Sequence, residues 1–328
     1  MGTDLLVIDH SDRDHSITTP TQDVAVNPED QVAHFALAAH APATRRAYAA
    51  ALRDWGHWST RHARQYLPAL EQDIAEYLAA LAGTGVAVST LMQRVAALAF
   101  AHRLAGLPSP TEAPAVRSVV AGIRRVLGSR PDRKAPATVD ALSDMLGQVP
   151  VDTLPGRRDR ALLLFGFAGA FRRSELVAID VEDLEETDAG VLVHVKRSKV
   201  DQEGAGREVG ILRGTRQCPV QALQDWLRAS EIDAGPIFRP ISAGGLLGPS
   251  RLTGGTVARI VKRYAEAAGL DPDRYSGHSL RAGFATSALD RGADLAAVAR
   301  QLGHAKLDTT RIYDRRSAFA GHAGRKLL

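Results

Sequence analysis

Apolar residues recur at every third or fourth position through most of residues 28–128, which is the spacing of helices that bury one face. The clearest stripe begins after Pro42 and consists of Tyr48, Leu52, Trp55 and Trp58. The same spacing continues in two further segments and in a shorter one over roughly residues 115–127. These patterns predict a bundle of about four or five helices.

The period changes in the second half of the chain. Alternate residues from Val191 to Val195 are valine, which is typical of a β-strand, and residues 209–212 are a plausible partner strand. The polar, glycine-containing stretch between them predicts a hairpin loop. Helical spacing is found on both sides of this hairpin, at residues 140–146, 157–171, 220–230, 256–268, 279–291, 295–302 and around Tyr313. The expected fold is mainly α with a small antiparallel β-sheet.

Two segments break these patterns and suggest domain boundaries. Residues 1–27 are polar and aperiodic, so we expect a disordered tail. Residues 129–137 combine prolines and charges with no apolar anchor, which indicates an interdomain linker. The sequence therefore predicts two domains, a helical one over 28–128 and an α+β one over 138–328.

Composition and the pattern of apolar residues argue against several classes of protein. The single cysteine, Cys218, excludes a disulfide framework and a multi-cysteine zinc site, and we expect it to be a small buried apolar residue. The longest apolar run, residues 161–170, is about half the length that a membrane helix needs. The first residues lack the basic and apolar regions of a secretion signal. A soluble cytoplasmic protein without a membrane partner is expected.

The net charge of +4 understates how basic the folded part is. Residues 1–28 carry five aspartates and one arginine, so their charge is −4 and the rest of the chain carries +8. A basic body suits a polyanionic partner such as nucleic acid, although charge alone is weak evidence.

Short polar segments carry the candidate chemistry. Arg172 and Glu175 lie three residues apart at a helix junction, where Ser174 is a suitable helix cap. Lys199 is placed near the tip of the predicted hairpin. Taken singly, these residues are better explained as a surface ion pair and a solvated lysine than as parts of a functional site.

Three further segments follow in the last part of the chain. His278 and Arg281 are spaced so that both can reach one anion from one face of a helix. Gly303 should end a helix and place His304 in a turn, and Tyr313 follows nine residues later. Alone, each is a weak motif, and the tyrosine would more often be a core residue.

Together and in this order, these segments resemble the tyrosine recombinases, also called phage integrases, a family that includes Cre-like and Xer-like enzymes. The resemblance covers residues 137–313, and it is weaker over 44–58, which resemble the family's helical core-binding domain. One departure is Ala170, which stands where the family usually has glycine.

The resemblance implies a metal-independent, cofactor-free reaction in which a tyrosine attacks a DNA phosphodiester and leaves a 3′-phosphotyrosine. It implies that Tyr313 is the nucleophile and that Arg172 and Arg281 bind the phosphate oxygens. Arg173 is a rival to Arg172, which we prefer because of its spacing to Glu175.

The remaining roles are also implied by the resemblance. Lys199 would protonate the leaving 5′-oxygen, His278 would assist proton transfer, and His304 would donate a hydrogen bond to the phosphate. Glu175 would support the site. No cluster of Asp, Glu and His has metal-ligand spacing on one element.

The implied partner is double-stranded DNA with a specific recombination site, bound by a homotetramer on two sites. Exposed basic residues would contact the DNA, namely Arg45, Arg46, Arg53, Arg173 and Arg197. The apolar residues of the last segment, residues 317–328, are expected to dock on a neighbouring protomer or on their own domain.

Three alternatives remain open. A homologue that has lost catalysis would bind DNA without a covalent adduct. A type IB topoisomerase would share the chemistry without strict site specificity. A metal-dependent nuclease would be inhibited by chelators.

Overall fold

The computed structural model describes residues 40–128, 134–196 and 206–314. The chain divides into two compact units, with the boundary between Pro131 and Asp132. The expected disordered tail and residues 129–133 of the expected linker lie outside the described residues.

The described part of the first unit contains four α-helices: α1 (Pro42–Arg61), α2 (Glu71–Gly83), α3 (Val88–Leu104) and α4 (Pro114–Leu127). Proline at the first position of α1 and of α4 suits a helix start, because its missing N–H needs no partner there. The apolar stripe of α1 faces the core, where Trp55 is 1 % exposed. The indole N–H of Trp55 donates to the carbonyl of Tyr66 at 2.9 Å, so this large buried ring has no unpaired polar atom.

The second unit is mostly helical and contains one sheet, which confirms the expected fold class. Its helices are α5 (Val139–Gly147), α6 (Leu154–Ala168), α7 (Arg173–Ala178), α8 (Pro219–Ser230), α9 (Gly254–Ala267), α10 (Ser279–Asp290), α11 (Leu295–Leu302) and α12 (Asp308–Arg311). Its strands are β1 (Leu184–Thr187), β2 (Gly190–Val195) and β3 (Arg207–Leu212).

The three strands form an antiparallel sheet in the order β1-β2-β3. Val193 lies opposite Val209, and the valines of β2 share a buried face with Val209 and Ile211 of β3. The alternation in the sequence therefore predicts both the hairpin and its inner face. Strand β1 was not predicted, because its residues are half-buried or exposed and show no alternation.

Helix α10 is buried around most of its circumference, which is typical of a helix in the centre of a domain. Gly283 allows one neighbour to come close, since a Cβ there would lie 1.8 Å from the carbonyl oxygen of Ala137. The N–H of Ala137 in turn donates to the carbonyl of Ser279 at 2.9 Å. This packing fixes the start of α10, and therefore the positions of His278 and Arg281.

The local predictions for Cys218 and Tyr313 were wrong. Cys218 is half-buried rather than buried, and its Sγ accepts hydrogen bonds from the N–H groups of Gly214 and Gln221 at the start of α8. Tyr313 does not lie on a helix, because α12 ends at Arg311 and the tyrosine occupies the turn that follows. Among the described helices, none combines the length and apolar character needed to cross a membrane.

Candidate active site

Arg172 and Glu175 form the start of α7. Arg172, and not Ser174 as expected, occupies the N-cap position. The N–H of Arg172 donates to Oε2 of Glu175 at 3.0 Å, and Nη1 of Arg172 lies 2.5 Å from Oε1. The three-residue spacing is that of a capping box, in which the third helical residue bonds back to the N-cap. The helix start therefore fixes the orientation of the Arg172 side chain.

Glu175 is only 3 % exposed and yet is held ionised. Burial alone would raise the pKa of its carboxyl group, but hydrogen bonds from Arg172 and the charges of Arg207 and Arg172 outweigh this effect and lower it. A carboxylate at this position neutralises part of the charge that two arginines concentrate here.

Arg281 is 1 % exposed and is bonded to the backbone of two other segments. Its Nη1 donates to the carbonyl of Ala170 at 2.7 Å, and its Nη2 donates to the carbonyl of Leu302 at 2.6 Å. Burial, followed by the charge of Arg172, lowers the pKa of Arg281 to about 10. The guanidinium is still protonated at neutral pH, so this buried position keeps a full positive charge.

Ala170 adopts a backbone conformation that favours glycine. Its φ is +48°, in the left-handed region, which costs a residue with a Cβ about 1–2 kcal/mol. This conformation belongs to the turn in which the carbonyl of Ala170 accepts a hydrogen bond from Arg281. Glycine would adopt this conformation without that cost, and alanine satisfies the same geometry at some cost.

His304 lies between Arg281 and Thr310. Its Nε2 is 2.9 Å from Nη2 of Arg281, and its Nδ1 is 2.8 Å from Oγ1 of Thr310. Because a guanidinium can only donate, Nε2 must accept, and the proton of a neutral ring is then on Nδ1. Burial, followed by the charges of Arg281 and Arg172, lowers the pKa of His304 to about 4, so the ring is neutral at pH 7.

His278 and Tyr313 meet at the open side of this cluster. Nε2 of His278 lies 3.1 Å from the Tyr313 hydroxyl oxygen. Although part of the His278 ring is exposed, desolvation and then the charges of nearby arginines, Arg281 first, lower its pKa. The Tyr313 ring is also nearly parallel to that of His304, with centroids 6.4 Å apart and planes at 13°. A neutral imidazole is therefore within reach of the proton of a half-buried phenol.

A family model for the phage integrase family matches residues 140–318, which is more than half of the chain. The chain belongs to the phage integrase family. The matched range includes all the segments from Arg172 to Tyr313 described above.

Individual relatives give the same family. An integrase/recombinase XerD homologue from Selenomonas ruminantium is 40% identical over 266 residues, which cover 80% of this chain and 78% of that protein. The Cre recombinase of Escherichia phage P1 is 28% identical over 283 residues, 80% of this chain and 81% of that protein.

Solved structures share the fold at lower identity. A XerH site-specific recombinase bound to a palindromic difH substrate, described as a post-cleavage complex, has a TM-score of 0.64 at 20% identity and covers 87% of this chain and 80% of that one. A lambda integrase dimer bound to a COC′ core site has a TM-score of 0.60 at 16% identity, over 89% and 77% of the two chains.

In this integrase-family chain, the structure brings together most of the residues that the sequence singled out, namely Arg172, Glu175, His278, Arg281, His304 and Tyr313. Lys199 and Arg197 lie outside the described residues. Of the expected DNA contacts, Arg45, Arg46 and Arg53 are exposed on α1, and Arg173 is exposed at the start of α7. No group of three or more potential metal ligands occurs among the described residues.

Two residues of the site were missed from the sequence, Thr310 and Arg207. Thr310 is fully buried and bonds to His304, but a threonine beside another threonine gives no signal in the sequence. Arg207 bonds to Glu175 through Nη2 at 3.0 Å. The one usable signal for Arg207 was its place at the base of the predicted hairpin, two residues before the predicted partner strand at 209–212.

Proposed function

We propose that this protein is a site-specific DNA recombinase that cleaves and rejoins strands through a 3′-phosphotyrosine on Tyr313. Its membership of the tyrosine recombinases supports strand exchange as the reaction. The observation that carries the residue assignment is the 3.1 Å approach of the Tyr313 hydroxyl to His278, beside buried Arg281 and half-buried His304.

The cleavage step begins with the phenol, whose usual pKa of about 10 makes it a weak nucleophile at neutral pH. His278 accepts the phenolic proton as the Tyr313 oxygen bonds to phosphorus. The bond from phosphorus to the 5′-oxygen breaks, and Lys199 gives this oxygen a proton. The new ester keeps the energy of the broken one, so the reverse reaction rejoins a strand without ATP.

Arg172 and Arg281, which we call the arginine pair, stabilise the charge that develops on the phosphate oxygens. Arg281 already donates to the carbonyls of Ala170 and Leu302 and to His304, so only part of its guanidinium is left for a phosphate. Arg172 has a 20 % exposed side chain and can turn more of its N–H groups outward. We therefore propose that Arg281 is a fixed donor and Arg172 the more adaptable one.

The role proposed for His304 depends on its proton. While Nε2 accepts from Arg281 it cannot donate to a phosphate, and it instead helps to orient the guanidinium. Donation to the phosphate, as the family resemblance implies, requires the proton to be on Nε2 and the bond to Arg281 to be released.

The proposed partner is duplex DNA with two copies of a specific site, bound by four protomers. The exposed arginines Arg45, Arg46, Arg53 and Arg173, together with Arg197, would contact its backbone. The neighbours of known structure include recombinases solved with DNA, which supports DNA as the partner. The segment 317–328, expected to dock between protomers or on its own domain, lies outside the described residues.

Covalent capture tests this function directly. We expect protein recovered under denaturing conditions from cells carrying its natural DNA to hold short DNA fragments attached through Tyr313. Sequencing these fragments should give one short inverted-repeat site. Random fragments would instead indicate a type IB topoisomerase, and an absence of attached DNA would indicate an inactive DNA-binding homologue. Adducts should form equally well with a chelator present, whereas a metal-dependent nuclease would lose activity.

A second prediction tests Lys199 as the general acid. A substrate with sulfur in place of the bridging 5′-oxygen has a leaving group that needs little protonation. This substrate should restore cleavage by Lys199→Ala and should not restore cleavage by Arg172→Ala. The measurement is the single-turnover rate of adduct formation on the two substrates. Equal rescue of both variants, or of neither, would remove Lys199 from this role.

A further inference from the structure

Arg207 connects three parts of the second unit. It is the first residue of β3 and lies opposite Val195, the last residue of β2, so it stands at the base of the hairpin. Its Nη2 donates to Oε2 of Glu175 at 3.0 Å, and its Nη1 donates to the carbonyl of Gln301 at 2.9 Å. One side chain thus joins the hairpin to the start of α7 and to the end of α11.

Arg207 and Arg172 bond to the same carboxylate, that of Glu175. Oε1 of Glu175 accepts from Nη1 of Arg172, while Oε2 accepts from the N–H of Arg172 and from Nη2 of Arg207. Glu175 is buried, and such a carboxylate remains ionised only with strong partners. Arg207 is one of these partners, and without it Glu175 would hold Arg172 less firmly.

The bond to Gln301 places Arg207 close to Arg281 as well. The next residue, Leu302, gives its carbonyl to Arg281, and Gly303 then turns the chain with φ at +64° toward His304. A Cβ on Gly303 would lie 2.8 Å from Nε of Arg207, so the turn and the guanidinium pack in direct contact. Nε of Arg207 is buried and has no hydrogen-bond partner among the described residues. Close packing against the turn therefore helps to hold this part of the side chain in place.

We propose that Arg207 is a positioning residue for the arginine pair. It acts through Glu175 on Arg172, and through the turn at Gln301–Gly303 on Arg281 and His304. Both of its terminal nitrogens donate to protein atoms, and we assign it a role through these contacts and not through a phosphate contact of its own. This inference rests on the proposed DNA-cleaving function.

The test uses the full-length protein and a duplex containing the site found by covalent capture. Arg207→Met keeps an unbranched side chain and removes its charge and donors, and we expect adduct formation to slow by about tenfold or more, by analogy with the loss of groups that orient metal ligands. Arg213→Met is the matched control, because Arg213 directly follows β3 and pairs with exposed Glu186 only at 3.9 Å. The Arg213→Met variant should cleave at the wild-type rate.

A double variant separates positioning from general damage. If Arg207 acts through Glu175, adding Arg207→Met to Glu175→Gln should slow cleavage by clearly less than the product of the two single effects. The double variant also removes the buried charge that Arg207→Met alone leaves with fewer partners. It therefore keeps the test valid if the single variant folds poorly, which a melting curve would reveal.

The pH dependence gives a readout that a purely structural residue would not change. The charge of Arg207 lowers the pKa of Glu175, so its removal raises that pKa and the carboxyl becomes protonated at a higher pH. Cleavage by Arg207→Met should therefore fall at a higher pH than cleavage by the wild type as the solution is acidified. Arg207→Lys restores a charge beside Glu175 and should move the profile back toward the wild type.

The outcomes are distinguishable. No adduct with wild-type protein would overturn the proposed function, whatever the variants do. Wild-type cleavage with an unchanged rate and pH profile in Arg207→Met would overturn the role of Arg207. Multiplicative effects with Glu175→Gln would show that the two residues act independently and would overturn the action of Arg207 on Arg172 through Glu175.

Discussion

Tyr313→Phe should abolish the covalent DNA adduct and leave DNA binding intact. The substitution removes one oxygen, the atom that lies 3.1 Å from Nε2 of His278, and keeps the ring that lies parallel to His304. Binding energy is distributed over many contacts between basic side chains and the DNA backbone, so losing one hydroxyl should change affinity little. The two measurements are a gel-shift titration and an assay for protease-sensitive adducts on the same duplex.

Tyr264→Phe is the matched control for this experiment. The Tyr264 hydroxyl also makes a side-chain hydrogen bond, donating to Oδ2 of buried Asp159 at 3.1 Å. In the described part of the chain, no hydrogen bond of this hydroxyl goes to a residue of the candidate site. Tyr264→Phe should lower the stability of the protein somewhat and leave adduct formation unchanged. An adduct that persists in Tyr313→Phe would show that another residue is the nucleophile.

Arg281→Ala should have the second large effect. Loss of one preorganised donor to a developing oxyanion typically costs about 3–4 kcal/mol, or roughly a hundredfold to a thousandfold in rate. Arg281 should also affect folding, because its removal leaves the buried carbonyls of Ala170 and Leu302 unpaired, at about 1–3 kcal/mol each. We expect cleavage to be lost at every pH, together with a lower melting temperature.

Comparison with Arg172→Ala separates the two effects. The Arg172 side chain is partly exposed and bonds mainly to Glu175, so its removal should reduce cleavage as strongly with a smaller change in melting temperature. Arg228→Ala, on an exposed arginine of α8, should change neither quantity. Either active-site variant cleaving at the wild-type rate would exclude that arginine from the chemistry.

Much of the site could be predicted from the sequence because its spacings have local causes. The three-residue spacing from Arg172 to Glu175 is that of a helix start, and Gly303 ends α11 with the left-handed conformation that glycine adopts easily. The β2–β3 hairpin was predicted for the same reason, since its inward valines alternate along one segment. In each case the information lies within a few neighbouring residues.

The remainder depends on contacts between residues far apart in the chain. Arg207 is bonded to Glu175 and Gln301, which are 32 and 94 residues away, and no local pattern predicts such partners. The acceptor role of Nε2 in His304 likewise follows only from its approach to Arg281. Strand β1 lacks an apolar signal of its own, and its pairing with β2 decides its conformation.

The approach of His278 to Tyr313 occurs within one polypeptide, as do the bonds that join Arg172, Glu175, Arg281 and His304. In the proposed mechanism, the attacking oxygen therefore comes from the chain that also supplies the arginines and histidines around it. In an assembly built from such chains, a defective protomer loses its own cleavage step and does not deprive its neighbour of a nucleophile. A variant without the tyrosine and a variant without an arginine, mixed on the same DNA, would therefore not restore each other's cleavage.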